Sequence, residues 1–325
     1  MDFLEFALRR GEEIDEEFTR FVESYKREST ARQYNSSFKK FVAFLHDVRL
    51  TRMTKNLAIA FFKSLHDRGL VHTTIATIKS SLRKIFWYGF QIDLNNDLFS
   101  SIPRACAMLN PRDPPSEISW SLNKVLSFAS ELDHSSVSYT LLLRKTLFLL
   151  ALASGARLSE VSTLSRDEGH VSFLPSGEVD LRPHPRFLAK NEDPARRWQP
   201  WRIVPLPQFP SLCPVSALRA YLDRTSSLTS GRLFVREEGG TLTTDGVRQQ
   251  ILYFIKTADP GSVPKGQETR KVATSVNFFH HMVFDDLCKY TGWKSQRVFH
   301  RHYLRNIEDL RLPTVAAGKV VVPKQ

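Results

Sequence analysis

The spacing of apolar positions predicts that the chain begins with a group of helices. Apolar residues recur every three or four positions, as on one face of a helix, in segments covering residues 14–25, 29–48, 54–70 and 73–92. The last two segments begin at Thr54 and Thr73, whose hydroxyls can cap a first turn. Residues 1–110 are therefore predicted to form a small all-helical domain.

Helical spacing and short apolar runs alternate in the second part of the chain. Helices are predicted over residues 122–132, 138–153, 157–165, 214–224, 244–257, 268–279, 282–290 and 295–310. Three short runs, at 170–174, 179–188 and 201–205, are separated by turn residues and predict an antiparallel meander. The predicted fold is mainly α-helical with one small antiparallel β-sheet.

A stretch rich in proline and charge marks the boundary between these parts. It covers residues 111–117, and its composition is typical of a linker. We predict domains at 1–110 and 118–312, followed by a C-terminal tail at 313–325. A chain of 325 residues is long enough for two domains.

Charge and cysteine content narrow the classes of function. The net charge of +12 and the pI near 9.7 favour a polyanionic partner such as nucleic acid, although a basic protein without such a partner is the alternative. Three scattered cysteines without a CxxC pair argue against a disulfide framework and a zinc site. The most apolar stretch, residues 139–155, contains Arg144 and Lys145 and predicts a buried helix rather than a membrane span. The acidic start is unlike a signal peptide, so we expect a soluble intracellular protein.

Two segments carry residues suited to phosphate chemistry. Arg157 and Glu160 are three positions apart, where a carboxylate can orient a guanidinium toward a phosphate. Most such pairs are surface salt bridges, which is the alternative interpretation. Lys190 falls between the second and third predicted strands, where a lysine could protonate a leaving oxygen or could simply be solvated.

Two further segments follow near the end of the chain. Arg270 lies near the start of a predicted helix beside Lys271, where backbone donors favour phosphate, although both cations could serve only to grip a DNA backbone. Trp293 can donate from its indole N–H. Tyr303 lies in the middle of the last predicted helix. The two histidines shortly before it, at 300 and 302, point in different directions on a helix, so no metal site is predicted.

The order of these residues resembles the tyrosine recombinase family. The pattern is an arginine with a nearby acid, a hairpin lysine, a second arginine, a Gly-Trp pair and a tyrosine ten residues after the tryptophan. The segments TRKVATS, TGWKSQRVFHRHYL and LCPVSALRAYLDRT look most like the eukaryotic transposon branch, the Crypton and DIRS-type elements. The resemblance covers roughly residues 120–310, and the first domain is similar to the family's core-binding (SAM-like) domain only in character.

This resemblance implies a reaction and a role for each residue. Tyr303 would attack a DNA phosphate and hold the strand as a 3′-phosphotyrosine, which conserves bond energy and needs no cofactor or metal. Arg157 and Arg270 would stabilise charge on the phosphate, with a further hydrogen bond from Trp293. Lys190 would protonate the departing 5′ oxygen. The carboxylate of Glu160 would position its neighbours.

One position departs from the family pattern. The family usually has histidine three residues before the second arginine, and this chain has Gln267, which can donate to a phosphate but cannot shuttle a proton. That substitution puts the efficiency of the reaction in doubt. Tyr290 is a rival nucleophile, but it precedes the Gly-Trp pair, where the family places none.

The resemblance also implies a partner and an assembly. Double-stranded DNA would lie in a clamp between the two domains, and recombinases of this kind act as tetramers on two DNA sites, one dimer per site, usually by passing a C-terminal segment to a neighbour. The residues after Leu310 could serve that exchange or form a frayed end. The location would be nuclear. The candidates for phosphate contact in the first domain are Arg32, Lys39, Lys40, Lys79, Arg83 and Lys84.

Three other functions remain open at this stage. The first is a domesticated DNA-binding module that keeps the fold without catalysis, which Gln267 favours and the intact set of five candidate catalytic residues opposes. The second is a type IB topoisomerase with the same chemistry. The third is a helical scaffold that does not bind DNA. The leading hypothesis is an active recombinase that integrates or excises a transposable element.

Overall fold

The computed structural model describes residues 28–48, 53–111, 117–189, 192, 200–227, 231–281, 283–291, 296–307 and 309–323. The chain divides into two compact units, Met1–Pro115 and Ser116–Gln325. The helix predicted at residues 14–25 lies outside the described residues. Among the helices that are described, none has the length and apolar character needed to cross a bilayer.

The described part of the first unit is helical, as predicted. Its helices are α1 (Glu28–Val48), α2 (Lys55–Asp67), α3 (His72–Phe90) and α4 (Asp97–Leu109). They enclose a core rich in phenylalanine, in which the rings of Phe41 and Phe61 meet edge to face at 5.3 Å and Phe41 also lies 4.9 Å from Phe86. Aromatic side chains of this size bury enough apolar surface to hold a small helical unit together.

Two local features of the first unit differ from the prediction. Thr54 caps α2 as predicted, since its side chain accepts from the Leu57 N–H. Helix α3 has Val71 at its N-cap, so Thr73 lies inside the helix rather than at its cap. Helix α4 was not predicted, because Pro103 lies within it and lacks an N–H for the helical ladder. Its start is nevertheless fixed by Asn96, whose side chain accepts from the Phe99 N–H.

The second unit is built around one buried helix. Its helices are α5 (Leu122–Glu131), α6 (Tyr139–Ser154), α7 (Leu158–Val161), α8 (Pro214–Arg224), α9 (Thr244–Ala258), α10 (Glu268–His281), α11 (Phe284–Thr291) and α12 (Gln296–His302), with a 3-10 turn at Pro210–Leu212. Helix α6 packs against α8, α9 and α10, which explains why most of its residues are apolar and buried. The predicted buried helix is confirmed.

The predicted antiparallel meander is also present. Strands β1 (Val171–Phe173), β2 (Val179–Leu181) and β3 (Trp201–Ile203) pair in that order, with Val179 opposite both Phe173 and Ile203. Strand β2 ends well before the predicted residue 188, because the prolines at 183 and 185 have no N–H to continue the ladder.

The tail forms a second small sheet that the sequence did not predict. Strands β4 (Thr314–Ala316) and β5 (Lys319–Val321) are joined by a two-residue turn in which Ala317 and Gly318 have φ of +43° and +87°. Positive φ at both central residues is typical of a tight hairpin turn. The backbone N–H groups of Ala317 and Gly318 donate to the Leu152 and Ala153 carbonyls at the end of α6. The alternative of a frayed end is therefore wrong for residues 313–323.

Candidate active site

Arg157 and Glu160 form a partly buried pair at the single helical turn α7. Arg157 occupies the position before the first helical residue, and the Glu160 carboxylate accepts two hydrogen bonds from it. Glu160 Oε2 accepts from the Arg157 backbone N–H and Oε1 accepts from Nη1, both at 2.8 Å. The glutamate side chain is 3% exposed and the arginine side chain 21%. The pair is therefore not the exposed salt bridge of the alternative interpretation, and α7 is shorter than the predicted helix 157–165.

Arg270 lies in the first turn of α10, as the sequence predicted, and is 6% exposed. Its Nη1 donates to the Gly155 carbonyl at 2.7 Å, and its Nη2 donates to the Thr291 carbonyl at 3.0 Å. These carbonyls come from the ends of α6 and α11, where helices leave acceptors without helical partners. The guanidinium is consequently fixed at the meeting point of three helices.

Tyr303 lies beside this fixed guanidinium. The Arg270 Cζ atom is 5.5 Å from the centre of the Tyr303 ring. Burial, followed by the positive charge of Arg157, lowers the pKa of Arg270, whereas Glu160 and Tyr303 raise it. The pair of Arg157 and Glu160 is thus brought together with Arg270 and Tyr303, which are more than 100 residues away in sequence, in one electrostatic site.

The last predicted helix ends earlier than expected, and this changes the setting of Tyr303. Helix α12 stops at His302, so Tyr303 directly follows it instead of lying in its middle. The N–H groups of Tyr303 and Leu304 both donate to the Phe299 carbonyl, at 2.8 and 3.0 Å, which closes the helix. The half-buried Tyr303 ring packs on an apolar cluster that contains Leu287 and Phe299.

A serine that the sequence did not single out holds the segment around Tyr303. Ser275 of α10 donates to the Tyr303 carbonyl at 3.1 Å and accepts from the Arg305 N–H at 2.9 Å. Its side chain is fully buried. Ser275 ends the segment TRKVATS, but nothing in that segment indicates which backbone its hydroxyl would contact, so only the tertiary structure reveals this role.

Tyr290, the rival nucleophile, has a structural role. Its hydroxyl is 3.5 Å from the carbonyls of Ala153 and Arg202, to which it can donate, and burial raises its pKa. Its ring lies so close to Gly318 that a Cβ built there would be 2.5 Å from a ring carbon. A phenol held in its protonated form is a poor nucleophile.

The other residues that the sequence suggested for the site differ in their settings, and two of them lie outside the described part of the chain. Lys190 and Trp293 lie outside the described residues. Gln267 is exposed immediately before α10. Lys271 is half-buried, and its pKa is lowered first by burial and then by the charge of Arg305. Within the described ranges, no group of three or more His, Cys, Asp or Glu side chains could hold a metal ion.

The basic candidates of the first unit lie on two helices. An open groove on α1 is lined by Arg32, Lys39 and Lys40 together with Arg68, which the sequence did not single out. On α3, Arg83 and Lys84 are exposed, whereas Lys79 donates to the Leu94 carbonyl at 2.8 Å and has a pKa lowered by burial. Lys79 therefore holds the turn after α3, and the other basic residues are accessible to a partner.

Comparison with known proteins identifies the fold. Residues 16–90 match the family model for the phage integrase N-terminal SAM-like domain. The Tn1549 transposon integrase in complex with transposon right end DNA is 13% identical with a TM-score of 0.59, over 93% of this chain and 95% of that one. A lambda integrase dimer bound to a COC′ core site is 14% identical with a TM-score of 0.55, over 96% of this chain and 98% of that one.

A lambda integrase tetramer bound to a Holliday junction is likewise similar, at 14% identity and a TM-score of 0.54, over 91% of this chain and 78% of that one. A search of curated protein sequences finds no match. At these identities the likeness shows the fold alone. The chain has an integrase-like fold, mostly helical with small antiparallel sheets, and the fold prediction is confirmed.

Proposed function

We propose that this chain is a site-specific DNA recombinase that cuts and rejoins strands through a 3′-phosphotyrosine on Tyr303. The observation that carries the proposal is the position of Tyr303 beside the fixed Arg270 guanidinium, 5.5 Å from ring centre to Cζ, in an integrase fold. The charge of Arg157 acts on the same guanidinium. Two arginines and a tyrosine at one site are suited to transesterification at a phosphodiester.

The reaction would proceed by exchange of one phosphoester bond for another. The Tyr303 oxygen attacks the scissile phosphorus and forms a P–O bond, its proton passes to solvent or a nearby base, and the bond to the 5′ oxygen breaks. Lys190 donates a proton to that leaving oxygen. Rejoining is the same exchange in reverse, with a 5′ hydroxyl as nucleophile, so neither a metal nor a cofactor is required.

The arginines would supply the electrostatic part of catalysis. A donor that is already fixed before the reaction needs little reorganisation when negative charge develops on the phosphate oxygens. The two carbonyl contacts of Arg270 and the double contact of Glu160 with Arg157 provide that rigidity. Trp293 would add an indole hydrogen bond, and Lys271 would contact an adjacent phosphate.

The first unit would bind double-stranded DNA as the core-binding domain, with the accessible basic residues of α1 and α3 on the phosphates. We extend the proposal to a homotetramer on two DNA sites, with a dimer on each, and to integration or excision of a Crypton- or DIRS-type transposable element in the nucleus. The similar folds of the Tn1549 transposon integrase and of the tetrameric lambda integrase on a Holliday junction support this extension.

The second candidate is a DNA-binding module of the same fold that no longer cleaves. The observation that favours it is Gln267, which replaces the acid–base histidine of the family pattern. General acid–base residues contribute roughly 10²–10⁴-fold to a rate, so their loss can leave slow catalysis rather than none.

Covalent trapping separates the two candidates. The protein is incubated in EDTA with a library of randomised duplexes, each carrying a nick that lets the short strand diffuse away after cleavage. An adduct that survives denaturation, disappears in Tyr303→Phe and persists in the matched variant Tyr290→Phe is the expected result. DNA binding without an adduct on any duplex would favour the idle module, and an adduct that survives Tyr303→Phe would contradict the assignment of the nucleophile.

A further inference from the structure

Ser275 connects the two halves of the candidate active site. It lies on α10, five residues after Arg270, and its hydroxyl contacts the backbone on both sides of Leu304. The hydroxyl donates one hydrogen bond, to the Tyr303 carbonyl, and accepts one, from the Arg305 N–H. A single fully buried side chain therefore ties the tyrosine segment to the helix that carries the arginine.

The backbone needs this contact because α12 ends just before Tyr303. Beyond His302 the chain no longer continues the helical ladder, so the Tyr303 carbonyl and the Arg305 N–H have no helical partners. A backbone N–H or carbonyl that is shielded from water and has no hydrogen-bond partner destabilises the folded state. The Ser275 hydroxyl pairs with both of these groups, the Tyr303 carbonyl and the Arg305 N–H. The first belongs to the residue whose ring lies beside Arg270.

Contacts other than those of Ser275 also surround Tyr303. Its side chain interacts with Arg270 of α10 and raises the pKa of that guanidinium. The N–H groups of Tyr303 and Leu304 both bond to Phe299, which belongs to α12 itself. The Tyr303 ring packs on an apolar cluster, and such contacts have little directional preference. Ser275 adds two hydrogen bonds that join α10 directly to the backbone of this segment.

We propose that Ser275 is a positioning residue that sets Tyr303 at its distance from Arg270, an inference that rests on the proposed function. It does not touch the reacting atoms. Its effect is on the geometry of attack, for which a displacement of about 1 Å can cost on the order of 10²-fold in rate. The Ser275→Ala variant should therefore form the covalent adduct about 10- to 100-fold more slowly at saturating protein. Its affinity for DNA should stay within about twofold of the parent.

The matched control is Ser262→Ala. Ser262 is also buried in the second unit, at 6% exposure, and its hydroxyl donates to the Asp259 carbonyl at 2.7 Å. The same atom is removed and a buried hydrogen bond is lost, but the turn that it stabilises carries none of the proposed catalytic residues. Ser262→Ala should lower the melting temperature to a similar extent without slowing adduct formation at a temperature where both variants are folded.

Two measurements on the intact chain of 325 residues test the proposal. The first compares the single-turnover rate of adduct formation with DNA affinity, on the duplex selected by the trapping library. The second measures hydrogen exchange in peptides covering residues 296–307, which reports on the backbone anchor whether or not the enzyme is active. Faster exchange there in Ser275→Ala than in Ser262→Ala, together with the slower rate, is expected.

The outcomes are distinct. If exchange over 296–307 is the same in both variants, Ser275 does not anchor the segment and the inference is wrong. Faster exchange with an unchanged adduct rate would also overturn it, because the anchor would then have no effect on attack. If the parent protein forms no adduct on any duplex, the proposed function fails and the positioning role fails with it, while the exchange data still report the anchor itself.

Discussion

The Arg270 guanidinium carbon lies 5.5 Å from the centre of the Tyr303 ring, and the same guanidinium donates to the carbonyls of Gly155 and Thr291. The tyrosine is thus paired with a cation that is itself held by two helix ends. Arg270 thus both joins two helix ends and lies beside the proposed nucleophile. Substitutions of Arg270 should therefore affect both stability and cleavage.

Arg270→Lys should slow adduct formation by about 10²–10³-fold, the range for loss of a fixed donor to a developing oxyanion. A lysine lacks the planar fork that reaches two carbonyls at once. The matched control is Arg166→Lys, since Arg166 also donates to two backbone carbonyls, of Thr225 and Leu233, at 2.8 and 3.0 Å. The control should lose stability but keep the rate, and equal rate losses in the two variants would contradict a catalytic role for Arg270.

Gly318→Ala should destabilise the second unit strongly. A Cβ there would lie 2.5 Å from a Tyr290 ring carbon, and φ is +87°. The comparison is Gly169→Ala, where φ is +76° but no atom lies within 4 Å of the added Cβ. We expect a loss in the free energy of unfolding of about 1–2 kcal/mol from backbone strain at position 169, and about 1–3 kcal/mol more from overpacking at position 318. Denaturant titration measures both, and equal losses would show that Tyr290 moves away at no cost.

Lys145 should make the stability of the second unit depend on pH. Burial lowers its pKa to about 8 in the folded protein, against 10.5 for an unperturbed lysine. Between these values the unfolded chain binds more protons than the folded one, so the free energy of unfolding should rise as the pH is raised from about 8 toward 10. The rise from this residue is at most about 1.4 kcal/mol per pH unit.

The Lys145→Met variant isolates this contribution. The side chain has a similar length but does not titrate, although the Leu132 carbonyl loses its donor. Denaturant unfolding at pH 7.5 and 9.5 should give a steeper increase in stability for the parent than for the variant. Parallel pH profiles would mean that Lys145 keeps an ordinary pKa in the folded state.

Gln267→His should accelerate adduct formation by roughly 10-fold or more, since it restores a side chain that can exchange protons near neutral pH. Gln267 is exposed, so the larger imidazole should be accommodated without loss of fold. The gain should depend on pH around 6.5, whereas Gln267→Asn should show no gain at any pH. A rate for Gln267→His that matches the parent between pH 6 and 8 would contradict an acid–base role at this position.

Helical periodicity predicted much of the fold. Helix α8 was predicted with its observed bounds, because Pro214 marks the first turn and the apolar face is regular. Strand β2 was predicted too long, since apolar residues continue past the prolines that end its hydrogen bonding. The local pattern therefore identified most of the elements, and the positions of residues without an N–H set some of their ends.

The hairpin of β4 and β5 was missed for a different reason. Its two-residue turn is Ala-Gly, and Ala317 adopts a positive φ of +43°. A turn with this geometry is usually recognised in a sequence by Asn, Asp or Gly at that position, and alanine gives no such indication. Contacts of the turn with the end of α6 hold this conformation. Such tertiary stabilisation cannot be read from residues 313–323 alone.

The sequence named candidate residues for the site but not their geometry, and their catalytic roles stay predictions. The motif order pointed to Arg157, Arg270 and Tyr303, and the structure brings them together. The predicted last helix ran past Tyr303, because the residues after it keep helical character. In the structure the helix ends at His302, and the Tyr303 carbonyl and the Arg305 N–H bond to Ser275 instead. Where the last helix ends depends on contacts between segments that are distant in sequence, and the local residue pattern does not indicate these contacts.

The most direct measurement is the position of the covalent bond. The trapped adduct would be digested with protease and nuclease, and the peptide that carries the residual nucleotide would be sequenced by mass spectrometry. The expected result is a nucleotide joined through its 3′ phosphate to Tyr303, formed in EDTA. A nucleotide attached to Tyr290 or to any other residue, or an attachment through a 5′ phosphate, would contradict the proposed chemistry.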